Sequence, residues 1–558
     1  MTPRGSGASA DGQPFGAAGR RPRIAIIGGC MTGLGAARKL ESLGAAGVPV
    51  DWVLFERDGH FGGKVKTVRR DGYVVEGGPD SAIIEKPWPI TTARELGIGD
   101  RLLNSNEDIR KSYVYSGGRV HELPAGIVLM IPTRIVPFAL SSLISWPGKL
   151  RMGMDLLLPR GPEQDDESLG DFVRRRLGSE ALAKVAEPIV AGIHAGDPEQ
   201  MSVRATFPMF HEMERQYRSL IVGMLRRRRK RARAEAAVGA SAGASAGASV
   251  GARAGASAGA RAKLSYFYSF QTGLADLPDA MAAALPAANL RSGVTVTSIE
   301  RRGGSNGEGD GSATSSLGGG AAGTAGGAAP TYVLTLADGS REEFDAVVLA
   351  APAWASGALL RTVAPRAAAD LESIAYVSTA TVSLAYRREQ IAKMPTGFGV
   401  VVPRAEKRPL MAVTFSSSKF AYRAPDDRIL LRGFVGRAGA EAAAQLDDDE
   451  MTRVVRRELA DMLGIAAEPE LSEVFRWPLG MPQYRVGHVA LVDRIEREVA
   501  AAPGIEIAGG AYHGIGIGDC LREGAGAAER AFDHVRGLPE IAVPPQPDDV
   551  PAGDGVED

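Results

Sequence analysis

The sequence predicts an α/β fold: a parallel-sheet unit completed by two later stretches of chain, with a mixed α+β unit and a helical unit inserted between them. Three observations carry this. Near the N-terminus, R-I-A-I-I from Arg23 and V-D-W-V-L-F from Val50 are apolar runs of strand length around a glycine turn; continuous rather than alternating apolar residues mark strands buried on both faces. Downstream, P-G-I-E-I-A-G-G-A-Y-H-G-I-G-I-G-D from Pro503 repeats the order strand, glycine loop, helix. Between them lie alternating strand patterns, and 558 residues exceed what one core holds.

Ile24–Ile27 reads as the first strand, Gly33–Leu43 as a helix with Leu34, Ala37 and Leu40 on one face, and Val50–Phe55 as a second strand ending in Glu56. Strand, glycine turn, helix, strand, acid is the order that holds a dinucleotide. Backbone N–H groups and a helix N-terminus meet the pyrophosphate, and the acid accepts hydrogen bonds from a ribose. The turn departs from G-x-G-x-x-G in one place. Anchored on Gly28 and Gly33, with Thr32 inside it, the spacing puts Cys30 where a glycine lets backbone approach phosphate, and Gly29 beside it relieves the crowding. F-G-G-K-V-K-T, with Gly63 and Lys64, and Y-V-V-E-G-G-P-D-S, with Gly78, Pro79, Asp80 and Ser81, follow where a long cofactor would extend. Lys64 offers its phosphates a cation.

E-K-P-W-P-I-T-T-A-R-E-L-G then opens a helix with a glycine stop, and Tyr113–Tyr115 and Arg119–Leu123 around Gly117-Gly118 predict a hairpin. Ala125–Trp146 is the most hydrophobic stretch. Its length would span a bilayer, but Pro132 and Pro137 interrupt it and Arg134 would cost about 2.5–3.5 kcal/mol on insertion. A pair of core helices is the plain reading; the roof of an apolar pocket or an interfacial patch are the sharper ones. Ser168–Leu177, Ala181–Ala191 and Phe207–Leu225 read as helices.

Arg226–Arg233 holds seven cations in eight positions and leads into a Gly/Ala/Ser tract, read as a solvated insertion rather than a nucleic-acid patch, because no aromatics interleave it. A helix within Gln271–Leu285, strands at Val294–Ile299 and Tyr332–Leu336 around a second low-complexity insertion at Gly303–Pro330, and strands at Ser378–Tyr386, Gly397–Val402, Met411–Ser416 and Ile429–Val435 complete the pattern.

The net charge of −1 gives no field toward nucleic acid. Cys30 and Cys520 stand far apart in sequence, form no metal-type cluster and suit a reducing cytoplasm. The seven histidines show no triad or metal spacing. Arg20-Arg21 precedes a run already explained as strand, so an export signal is rejected.

Seven motifs resemble the bacterial flavoprotein porphyrinogen oxidases, with most likeness to the soluble coproporphyrinogen III oxidases. They are G-G-P-D-S from Gly77, I-P-T-R-I-V-P-F from Ile131, S-L-G-D-F-V-R-R-R-L-G from Ser168, E-P-I-V-A-G-I-H-A-G-D from Glu187, T-F-P from Thr206, M-P-Q-Y-R-V-G-H from Met481 and G-I-G-I-G-D-C from Gly514. Together they reach from about Arg23 to Arg536. Lys64, where arginine is frequent, Cys30 and the two insertions depart from the pattern.

The resemblance implies a Rossmann-like, amine-oxidase-like FAD-binding domain, discontinuous over 22–100, 264–352 and 486–538. It also implies a helical subdomain (101–225), an insertion (226–263), a mixed α+β substrate domain (353–485), and disordered ends (1–21 and 539–558). It implies FAD held by Gly28, Gly29, Cys30, Thr32, Gly33, Glu56, Gly63, Lys64, Gly78, Pro79, Asp80, Ser81, Val296, Trp477, Gly516, Ile517 and Gly518. Lys86 would meet a propionate and Ile193 the macrocycle face.

The implied reaction is the six-electron oxidation of a porphyrinogen in three two-electron steps. Dioxygen restores the flavin and gives hydrogen peroxide, and no side chain serves as catalytic acid or base. The implied setting is cytoplasmic, with no nucleic acid and no spanning segment. A peripheral membrane contact and a transient contact with the next enzyme of haem synthesis stay open, as do protoporphyrinogen as substrate, a flavoenzyme oxidising amines or carotenoids, and a redox-inactive carrier of the same fold.

Overall fold

The computed structural model describes residues 21–45, 50–124, 126–128, 130–161, 165–230, 233, 265–302 and 331–536. The leader, most of the basic insertion, the second insertion and the tail lie outside these.

Five parallel strands form the central sheet in the order Leu290–Ser292, Asp51–Glu56, Arg23–Ile27, Ala346–Leu349, Ile505–Ile507. Both faces are covered, which explains the unbroken apolar runs. Ile24, Ile26, Trp52, Leu54 and Val348 pack against the helices Met31–Ala45 and Ile517–Arg536. Ala25, Ile27, Val53, Phe55, Val347 and Leu349 pack against an antiparallel meander, Val296–Arg302, Thr331–Leu336 and Arg341–Phe344. The two helices meet through glycines: a methyl group on Gly524 would lie 1.9 Å from the Thr32 carbonyl oxygen, and one on Gly35 2.8 Å from that of Leu521. This closeness brings both N-termini to one end of the sheet.

A seven-stranded sheet forms the second unit, in the order Leu471–Pro482, Tyr376–Arg387, Arg428–Val435, Leu410–Phe415, Gly399–Val401, Ser112–Ser116, Arg119–Glu122. The hairpin read at Tyr113–Leu123 is thus its far edge, joined in parallel to Gly399–Val401. Leu471–Pro482 has no counterpart among the expected strands; W-P-L-G breaks its alternation.

The third unit is helical. Ser168 caps Leu169–Leu177 by accepting from the Asp171 N–H at 2.9 Å. The expected helix at Ala181–Ala191 runs on to His194 through a π turn at Leu182–Ala186. The continuous helix expected to Leu225 is instead broken at Arg218 (φ 63°) into Pro208–Tyr217 and a helix over 220–230, whose exposed last residues are the start of the basic run.

Ala125–Trp146 corrects the core-helix expectation. Its two prolines leave a small ladder, Ile127–Val128 with Ile131–Pro132, and one short helix, Ile135–Leu140, on which Val136 and Leu140 are exposed. Among the described residues no helix is long and apolar enough to cross a membrane.

Candidate functional site

The first strand ends in a turn whose glycines answer different constraints. Gly28 has φ +108°, and a methyl group on Gly33 would sit 1.8 Å from the Gly28 carbonyl oxygen. At Gly29 a methyl group would meet Phe61 Cδ1 at 2.5 Å and Glu56 Cβ at 2.8 Å. Gly29, one residue before the expected position, thus also admits no side chain. Cys30 is tolerated because its thiol turns to the Ala350 carbonyl oxygen (3.2 Å). Glu56 is buried, accepting from the Gly29 N–H (2.6 Å) and the Asp58 N–H (2.8 Å), so the acid at the strand end and the turn are one unit.

The next segments close around this turn. Gly62 N–H donates to the Gly29 carbonyl (2.8 Å), and Gly63, at φ +58°, faces Cys30. Burial lowers the pKa of Lys64, whose ammonium donates to the Gly480 carbonyl. Gly78 lies against the backbone of Lys64: a methyl group there would be 1.8 Å from the Lys64 carbonyl oxygen. The Gly77 carbonyl accepts from Trp477 Nε1 (2.9 Å) and Thr381 Oγ1 (3.1 Å), and that of Gly78 from Arg432. Trp477 thus ties the seven-stranded sheet to the glycine segment.

Asp80 accepts from Lys419 Nζ (2.9 and 3.0 Å), which also reaches Ser81 Oγ (3.1 Å). Burial would raise the Asp80 carboxyl, but the Lys419 ammonium and the Arg432 guanidinium hold it well below the usual carboxylate range. Pro79 sits half-buried between these anchors. Val296 is buried at the start of the meander, two residues after Val294, whose N–H donates to the Glu56 carbonyl (2.9 Å).

The second glycine loop completes the ring. Tyr484 accepts from the Gly514 N–H (3.0 Å), donates to the Gly510 carbonyl (2.8 Å) and stacks on His488 at 4.1 Å. Asp519, in the first turn of the helix from Ile517, accepts from the Gly516 N–H (3.1 Å). A methyl group on Gly518 would lie 2.7 Å from Lys86 Cβ. Burial pushes the Cys520 thiol up to about 12, so it stays neutral.

Lys86 pairs through its ammonium with the buried Asp519 carboxylate and covers Gly518 with its stem, while about a third of its side chain stays exposed. Ile193 is 42% exposed on the last turn of its helix.

Asp519, Lys419, Arg432 and Tyr484 escaped the sequence reading. Asp519 left a readable signal, an acid in a first helical turn; Lys419 and Arg432 left none, because their partners lie over 330 residues away.

The group such a site suits is a flavin, and one observation bears on it. Gly29, Gly33 and Gly78 each stand where a methyl group would strike neighbouring atoms at 2.5 Å or less, so the backbone is bare and close along one continuous path. Two helix N-termini could supply positive potential for a diphosphate, with Lys64 nearby, and Glu56 an acceptor for a ribose.

The model of the family described as flavin containing amine oxidoreductase matches residues 31–531. The chain belongs to this family. Two of its relatives are named coproporphyrinogen III oxidase. One, from Propionibacterium freudenreichii subsp. freudenreichii, is 37% identical over 91% of this chain and 90% of the relative. The other, from Bacillus subtilis (strain 168), is 31% identical over 92% of this chain and 99% of the relative. A solved structure from Exiguobacterium sp. 255-15 matches this flavin containing amine oxidoreductase with a TM-score of 0.72 at 30% identity, covering 91% of this chain and 98% of that one.

Proposed function

We propose that this flavoprotein is an FAD-dependent oxidase that converts coproporphyrinogen III to coproporphyrin III in the cytoplasm, as a step of haem synthesis. The observation that carries the reading is the 37% identity to a coproporphyrinogen III oxidase over nearly the full length of both chains. The balanced reaction removes six hydrogens from the macrocycle and passes them to three dioxygen molecules as hydrogen peroxide.

Bound in the cradle, FAD supplies a two-electron acceptor that dioxygen restores, so three rounds complete the oxidation. The chain's part is to bind, orient and exclude water. Gly28, Gly29 and Gly33 bring the N-terminus of the helix Met31–Ala45 to the diphosphate, and the helix Ile517–Arg536 points a second N-terminus at the same end of the sheet. The neutral Cys520 thiol adds no repulsive charge there. Glu56 would accept from the adenine ribose, with Val296 near the adenine. Trp477, Thr381 and Arg432 hold the Gly77 and Gly78 carbonyls, Lys419 anchors Asp80 and Ser81, and this segment would line the cofactor while Ile193 would present an apolar surface to the macrocycle.

Purified protein should be yellow and release FAD on denaturation. It should turn colourless coproporphyrinogen III into fluorescent coproporphyrin III with one hydrogen peroxide per two electrons. Turnover of protoporphyrinogen IX alone, or of neither, overturns the assignment.

A further inference from the structure

Leu479 is exposed and held in left-handed backbone next to the proposed cofactor site: φ is +46° and the residue is 46% exposed. Leucine is poorly suited to that conformation, which favours glycine or asparagine. It joins none of the hydrophobic clusters among the described residues. Its exposure and its left-handed backbone are both unfavourable for a leucine.

The backbone around it is pinned. The ladder between Tyr376–Arg387 and Leu471–Pro482 breaks between the pairs Val377–Met481 and Thr379–Trp477, leaving Pro478, Leu479 and Gly480 opposite Ser378 alone. Leu479 N–H donates to Ser378 Oγ (3.0 Å), the Gly480 carbonyl accepts from Lys64, and Trp477 Nε1 holds the Gly77 carbonyl (2.9 Å). All three ties fasten the bulge, and two of them run to the segments that flank the cofactor cradle. A methyl group on Gly480 would lie 2.7 Å from Trp477 Cβ, so the loop closes tightly on itself and turns its leucine outward.

The other wall is at hand. Met481 packs on the small cluster of Ala195, Val377 and Met411, and Ala195 directly follows the helix that ends Ile193-His194. Two exposed apolar side chains, Ile193 and Leu479, thus flank one structural joint between the helical unit and the sheet.

We propose that Leu479, presented by the Trp477–Met481 bulge, is a positioning residue that packs on the apolar face of the substrate macrocycle. This rests on the porphyrinogen reading of the same site. The bonds of the bulge hold the strained backbone, and such held strain clusters where a ligand is gripped.

The test uses the flavin-loaded full chain and three variants: Leu479→Ala, which removes the contact and keeps the backbone strained; Leu479→Gly, which removes both; and Leu479→Met, which restores apolar bulk. With coproporphyrinogen III, Ala and Gly should each raise KM about tenfold, the size expected when half a leucine leaves an apolar contact. Met should recover most of it. Flavin content should stay at the wild-type level, and titration with coproporphyrin III, read by flavin absorbance, should weaken in parallel. Wild-type KM in both Ala and Gly variants, with the Gly variant melting higher, overturns the inference and leaves plain backbone strain. A wild-type protein inactive on porphyrinogens overturns the proposed function instead, and the two failures are distinguishable because the product titration needs no turnover.

Discussion

Glu56 bears two jobs, and removing its carboxylate should expose both. In the folded chain it accepts from the Gly29 N–H at 2.6 Å and the Asp58 N–H at 2.8 Å. Glu56→Ala leaves the buried Gly29 donor unsatisfied, at about 1–3 kcal/mol, and the donor of the exposed Asp58 at less. Free of flavin, the variant should be destabilised by about 2–3 kcal/mol. With flavin, the lost ribose acceptor adds a charge-assisted bond of about 1.5–3 kcal/mol, so the FAD Kd should rise roughly tenfold to hundredfold. Glu56→Gln separates the effects. Its single carbonyl can serve one donor while its NH2 opposes the other, so it should fall between. Fluorescence titration of apoprotein with FAD gives Kd, and melting with and without FAD gives stability. Unchanged Kd and unchanged apoprotein melting in Glu56→Ala would refute the placement of this acid in the cradle.

Gly524→Ala forces a methyl group to 1.9 Å from the Thr32 carbonyl, between two helices packed on a rigid sheet. A destabilisation of about 3 kcal/mol is expected, and an unchanged denaturation midpoint contradicts the close crossing. Lys86→Ala leaves the buried Asp519 carboxylate unpaired; because Lys86 is about a third exposed, the loss is held to about 1–2 kcal/mol. The damage is expected in flavin retention, about tenfold, with kcat/KM per flavin preserved. A drop in kcat/KM at full flavin content returns Lys86 to the substrate. Burial lowers His194 and His488 to about 4, so both are neutral in the folded chain, while the unfolded chain takes up protons below about 6.5. Stability is thus complete above pH 6.5 and falls as pH drops toward 4, by about 1.4 kcal/mol per unit for each histidine. His488→Gln should flatten the pH dependence of melting in that window, and an identical slope contradicts its buried neutrality.

The chain's local signals were enough for the cofactor unit. Ile24–Ile27 and Val50–Phe55 are apolar at successive positions because helices cover one face and the meander the other, and such two-sided burial is written directly into the order of residues. The same holds for the glycine turn, where Gly28 and Gly33 mark backbone that admits no side chain. Local reading failed where the deciding partner is remote. The length of Ala125–Trp146 suggested helices, but its prolines break it into a small ladder and a short exposed helix. Lys86 looked like a free cation until the fold set it on Asp519, 433 residues away. Asp80 and Lys419, and Trp477 with the Gly77 carbonyl, are likewise joined across hundreds of residues. Sequence determines which groups can bond and which segments must be buried. Which charge meets which, and which leucine is turned into the open, follows only when two sheets and their helices have packed, because those contacts depend on distances that no local pattern encodes.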